Sequence, residues 1–121
     1  MVISGIECVD QAGVEEIADR TVECLKATVP GDVPGCAFLS GGQSSEDATA
    51  HLNKINEKYG ESLPWNLTFS YGRALQASAL QAWSGEDQNI DIAQEAFYQR
   101  AKYNSLATRG KYSYEMEEIV V

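Results

Sequence analysis

Two short apolar runs, each breaking into serine and glycine and then opening a helical pattern, constrain this chain more than any other feature. The first is Val33-Pro34-Gly35-Cys36-Ala37-Phe38-Leu39, which runs into Ser40-Gly41-Gly42-Gln43. The second is Trp65-Asn66-Leu67-Thr68-Phe69, which runs into Ser70-Tyr71-Gly72-Arg73 about thirty residues later. Repeated strand-turn-helix units at this spacing predict consecutive βα units of a parallel sheet. A strand that ends in Ser and Gly before a helix leaves free backbone N–H groups beside a positive helix terminus, which suits an anion, above all a phosphate.

The rest of the chain supplies helices around that pair. Val14, Ile17, Ala18, Val22 and Leu25 recur at helical spacing, with Val29 one turn on, and Pro30-Gly31 stops the pattern. Ser44 or Ser45 is placed to cap a second helix, with Asp47 three residues after Ser44. Its buried stripe is expected to be Ala48, Leu52, Ile55 and Tyr59, with His51 at the border as a structural histidine, and Gly60 ends it. Arg73 to Trp83 is rich in helix formers. Asn89 is expected to cap a last long helix along Ile90, Ala93, Phe97, Ala101 and Asn104, closed by Gly110 at C′. Residues 110–121 carry no trusted pattern and are expected to form a tail. Met1 to Gly5 resembles the end of a strand. The first core run is apolar without alternation, which predicts a strand covered on both faces.

The resulting order is (β)αβαβαα in a single domain spanning residues 1–121. Two or three strands do not close a barrel. The pattern instead matches the last part of a larger α/β barrel, whose phosphate site commonly follows the seventh and eighth strands. In that place Ser40, Gly41 and Gly42 offer amides and a hydroxyl, and Arg73 a planar charged fork that matches a phosphate. Gly72 is expected to permit the tight turn before it. The net charge of −9 argues against general nucleic-acid binding and against an anionic membrane surface. Cys8, Cys24 and Cys36 are too few and too widely spaced for a zinc site or a disulfide framework, and reduced thiols in a cytosolic protein are the expectation. His51 is the sole histidine, so a histidine-rich metal site is excluded. No apolar run approaches a membrane span and no signal peptide is evident. Neither Ser40 nor Ser70 has a triad-like histidine, and no lysine ends a strand.

Phe38-Leu39-Ser40-Gly41-Gly42-Gln43-Ser44 and the run from Leu67 through Ser70-Tyr71-Gly72-Arg73 to Leu80 resemble the C-terminal third of class I fructose-1,6-bisphosphate aldolases. Val29-Pro30 with Val33-Pro34-Gly35, Asn53 to Asn56, and Asn104-Ser105-Leu106-Ala107 with Gly110-Lys111-Tyr112 extend the resemblance over nearly the whole chain. It implies α/β architecture, the C-terminal part of a (β/α)8 TIM barrel made of units 7 and 8 with flanking helices. It implies a cytoplasmic, homo-oligomeric lyase of glycolysis and gluconeogenesis. That enzyme reversibly cleaves fructose 1,6-bisphosphate to dihydroxyacetone phosphate and glyceraldehyde 3-phosphate through a lysine Schiff base, without metal or cofactor. Residue by residue, it implies phosphate binding by Ser40, Gly41, Gly42, Ser70, Gly72 and Arg73. The family's Schiff-base lysine belongs to a Lys-Pro-Asn-Met run whose end matches Met1, and its acid and base residues belong to earlier strands. The chain is therefore expected to be a fragment or a truncated homologue that does not cleave the sugar by itself, with no catalytic residue of its own. The alternative is a non-catalytic phosphate-ester-binding or assembly module. The family's terminal tyrosine has no match in Glu118-Ile119-Val120-Val121, and Tyr112 and Tyr114 are given no such role.

Overall fold

In the computed structural model, which describes residues 1–119, four helices and two strands alternate as expected. They are α1 (Val14–Thr28), β1 (Gly35–Phe38), α2 (Ser45–Tyr59), β2 (Asn66–Phe69), α3 (Arg73–Trp83) and α4 (Ile90–Ala107), with short 3₁₀ turns at Gly60–Ser62, Asp87–Asn89 and Tyr114–Ile119. β1 and β2 pair in parallel, in the register Gly35↔Asn66 to Phe38↔Phe69. The alternation of side chains across the pair puts Cys36, Phe38, Leu67 and Phe69 on one face. That face meets the core, where Leu52 and Ile55 of α2 are fully buried beside Trp65, Tyr71 and Val22. α2 is the central helix and packs on α1, α3 and α4.

Local chemistry explains the boundaries. The Ser44 hydroxyl accepts the Asp47 N–H at 3.1 Å and caps α2. Glu46 and Asp47 sit in the first turn of α2 and Lys58 in the last, as the helix dipole prefers. Pro30 stands just beyond the end of α1, and the Trp65 indole N–H donates to its carbonyl at 2.8 Å, fixing the approach to β2. At the end of α4, Gly110 takes φ +67°. Its N–H donates to Ala107 O and that of Lys111 to Leu106 O, at 3.2 and 3.0 Å, a Schellman closure. The Asn56 side-chain N–H₂ reaches Leu52 O, Leu67 O and Ala107 O at 3.1–3.2 Å, joining α2, β2 and the end of α4.

Several expectations are corrected. Met1 to Gly5 forms no strand. Its Val2 N–H donates instead to the Thr21 hydroxyl of α1 at 3.0 Å. The sheet is covered on one face, because all four helices gather where Phe38 and Leu67 point, leaving Ala37 exposed and Leu39 70% exposed. Asn89 precedes α4 without capping it, since its side-chain N–H₂ donates backwards to Trp83 O at 3.1 Å. The buried side of α4 is Arg100, Tyr103, Asn104 and Ala107, whereas Ile90 and Phe97 of the expected stripe are exposed, and the bonds that tie α4 to α2 come from Arg100, Asn104 and Ala107 in its second half.

The expected tail is docked as far as it is described, and its last two residues, Val120 and Val121, lie outside the described residues. Tyr112 is buried, its N–H donating to Asn53 Oδ1 at 2.9 Å and its hydroxyl to Glu117 at 2.8 Å. The Tyr103 hydroxyl donates to Met116 O at 2.7 Å. Arg100, 2% exposed, binds Glu117 through Nη1 and reaches Ser45 O and the Thr49 hydroxyl through Nη2.

Candidate phosphate-binding site

Because β1 and β2 are parallel, their C-terminal ends place the Ser40–Gln43 and Ser70–Gly72 turns side by side. The Ser70 N–H continues the ladder by donating to Phe38 O at 2.8 Å. Ser40 is buried, and its hydroxyl accepts a long bond of 3.4 Å from the Ala74 N–H in the first turn of α3. Gly72, the N-cap of α3, has no side chain to do this, so the first turn serves the helix that follows the second. A second link is Tyr71, 4% exposed, whose hydroxyl donates to Ala48 O near the start of α2 at 2.8 Å. Burial pushes the Tyr71 hydroxyl well above its usual pKa, so it stays a donor. Tyr71 carries no role in the sequence reading; the signal was an aromatic residue set between Ser70 and Gly72.

The ligand-facing groups are open. Among the described residues, the amides of Gly41, Gly42, Gly72 and Arg73 have no hydrogen-bond partner in the protein. Gly41, Gly42, Ser70, Gly72 and Arg73 are exposed. Arg73 forms no ion pair with another described residue and occupies the first position of an eleven-residue helix, where an anion is favoured. Gly42 takes φ +78°, a conformation that disfavours side chains. Gly72, at φ −92° and ψ −71°, needs no glycine for its backbone, which corrects the expected reason for that residue; a Cβ there would meet open space.

Below the first turn His51 is buried, 2.6 Å from Gln43. Burial lowers its pKa, against an opposing pull from Asp47, so the ring is neutral near pH 7. The five lysines lie on α1, α2 and α4 and just beyond α4, and none ends a strand. A cleft of about 740 Å³ lies away from both turns, at the ends of α2 and α4 near Trp65–Thr68. One of about 240 Å³ reaches Gly42, between the opening segment and the start of α2. Neither encloses both turns, so the candidate site is a surface cradle. Its groups can hold and orient a doubly charged ester, but they include no nucleophile paired with a base.

The sequence model of the class-I fructose-bisphosphate aldolases of glycolysis matches residues 1–120. A probable class 1 fructose-bisphosphate aldolase of Xanthomonas campestris is 54% identical over 113 residues, 93% of this chain and 33% of the relative. The cytosolic fructose-bisphosphate aldolase 4 of Arabidopsis thaliana is 54% identical over 112 residues, 93% of this chain and 28% of its own. A solved fructose-bisphosphate aldolase of Plasmodium falciparum, in complex with TRAP and a small-molecule inhibitor, superposes with a TM-score of 0.85 at 50% identity, over 91% of this chain and 31% of that one. The chain thus spans about a third of the length of the relatives it matches.

Proposed function

Because this chain belongs to the class I fructose-bisphosphate aldolase family, we propose that its two βα turns hold a phosphate group of the family's sugar substrate. In this reading Gly41 and Gly42 bind phosphate oxygens through their amides, Ser40 and Ser70 add hydroxyls, and Gly72 leaves room for the approach. Arg73 provides a charged, bidentate contact. The ligands are fructose 1,6-bisphosphate and the two triose phosphates. The residues of the two turns bind and orient; in this reading the bond cleavage through a lysine imine needs a lysine at a strand end, and none of the five lysines stands at one, so the chain is expected not to cleave by itself. A cytoplasmic setting is the reading that the name of the cytosolic Arabidopsis relative supports; a homo-oligomeric parent enzyme is what the family resemblance implies.

The observation that carries the proposal is the set of unpartnered amides at Gly41, Gly42, Gly72 and Arg73, on turns joined through Ser40 and Ala74. Titration with dihydroxyacetone phosphate, followed on the backbone amides, tests it. Shifts at Gly41, Gly42 and Arg73 are expected, and Arg73→Ala is expected to weaken binding by about 1.5–3 kcal/mol. Unchanged affinity would return Arg73 to a purely structural place. Borohydride trapping of dihydroxyacetone phosphate on this chain as a covalent adduct would refute the absence of Schiff-base chemistry. The placement of the lysines also favours a non-catalytic binding module; turnover of fructose 1,6-bisphosphate by the full-length gene product would exclude that.

A further inference from the structure

Gln43 closes the first turn, with its own N–H donating to Ser40 O at 3.0 Å. Its side chain turns inward to His51, where Nδ1 and Gln43 Oε1 stand 2.6 Å apart. With the amide oxygen as acceptor, the ring proton is on Nδ1. His51 is held in turn by α2, of which it forms part of the buried side, and is 7% exposed. The turn between Ser40 and Gln43 is otherwise loosely supported: a Cβ on Gly41 would meet nothing within 4 Å, and one on Gly42 would meet a single atom of Ile3 at 3.4 Å. The charged groups facing His51 are Asp47 on its own helix and the amino group of Met1 from the opening segment. Among the described residues neither makes a hydrogen bond to the ring.

We propose that His51 is a positioning residue for the phosphate turn, anchoring Gln43 so that the amides of Gly41 and Gly42 stay presented to the ligand. The proposal rests on the phosphate reading above. It assigns His51 a task beyond filling the core, because the bond it makes runs to a residue of the turn itself, directly after Gly41 and Gly42. A buried, rigid ring on a helix is a firmer anchor than solvent, and each free amide then loses less freedom when an oxyanion arrives.

The test uses the full chain with inorganic sulfate, which keeps its double charge between about pH 5 and pH 8, with binding followed at the Gly41 and Gly42 amides by ¹⁵N NMR. His51→Asn places an amide N–H₂ where Nδ1 stood; His51→Leu removes the donor. Sulfate affinity is expected to fall about fivefold in His51→Leu and to stay within about twofold of the parent in His51→Asn. Gln43→Leu, which removes the acceptor, is expected to match His51→Leu and serves in its place where that variant does not fold. Full affinity without the anchor, or no rescue by asparagine in a variant that melts like the parent, overturns the role of His51 and leaves the phosphate reading standing. No sulfate shift at Gly41 and Gly42 in the parent chain overturns the phosphate reading and this proposal together.

Discussion

Glu117→Gln removes one charge from a buried pair and leaves the other in place. The Arg100 side chain is 3% exposed and that of Glu117 18%. Arg100 also serves Ser45 O and the Thr49 hydroxyl, while its Nε has no partner among the described residues. Breaking a buried ion pair from one side commonly costs about 3–5 kcal/mol, because a charge stays behind without compensation. Two features lower that range here. Glu117 borders water, and glutamine keeps an oxygen that accepts from Arg100 and from the Tyr112 hydroxyl. The expected loss is therefore about 2–3 kcal/mol, a large part of the 5–15 kcal/mol of an ordinary domain. Urea unfolding followed by far-ultraviolet circular dichroism measures it, with the slope of the transition unchanged. Arg100→Met with Glu117→Leu removes both charges and is expected to cost less than the two single substitutions added together, by about 1 kcal/mol or more. A Glu117→Gln loss below about 0.5 kcal/mol, or strict additivity in the cycle, would refute the view that this pair fastens residues 112–119 to α2 and α4.

The other expected outcomes concern the scaffold around that pair. Gly110→Ala forces a side chain into φ +67° and sets its Cβ 2.8 Å from Glu57 Cα and 2.9 Å from Glu57 N. A loss of about 2–4 kcal/mol is expected in urea unfolding, since backbone must move and the left-handed conformation alone costs about 1–2; an unshifted midpoint would contradict it. Asn56→Ala leaves Leu67 O and Ala107 O without their shared donor, for about 1–3 kcal/mol in the same assay, and a loss near zero would mean that water replaces the amide. Asp19 on α1 accepts from Lys58 and from Tyr59 on α2, and these bonds, Lys58 first, hold its carboxyl below the ordinary 3.8. A carboxylate with a depressed folded pKa contributes in full above its unfolded value, and the contribution fades as pH falls through the folded one. The melting temperature should therefore drop more between about pH 6 and about pH 3 in the parent than in Asp19→Asn, and equal drops would contradict the linkage.

Elements whose signals are local were legible in the sequence. The Ser44 cap, the stop after α1, the strands at 35–38 and 66–69 and the glycine closure at Gly110 each follow from a few adjacent residues, and each is where it was expected. What depends on distant partners was not legible. The Glu117 carboxylate finds Arg100 on α4, and Tyr112 finds Asn53 on α2, so a segment with no periodicity of its own becomes ordered by contacts across the chain. The burial of Arg100 was hidden for the same reason, because a charged residue reads as solvent-facing until its partners are known. The apolar strand run predicted two covered faces, but composition records what a strand tolerates, not what lies above it. At the candidate site, the serines, the glycines and Arg73 announced themselves by type and place. The links that join the two turns, Ser40 to Ala74 and Tyr71 to Ala48, are products of the strand register.

The one-sided sheet has a colloidal consequence. A ribbon of two parallel strands with Leu39 bare beside it offers outer N–H and C=O groups on which strands of neighbouring molecules can grow. What opposes such stacking at a distance is the net charge of −9. That repulsion reaches about 10 Å in 0.1 M salt and about 3 Å in 1 M salt. The isolated chain should therefore stay dispersed in dilute buffer and turn cloudy as salt is added, its solubility governed by ionic strength.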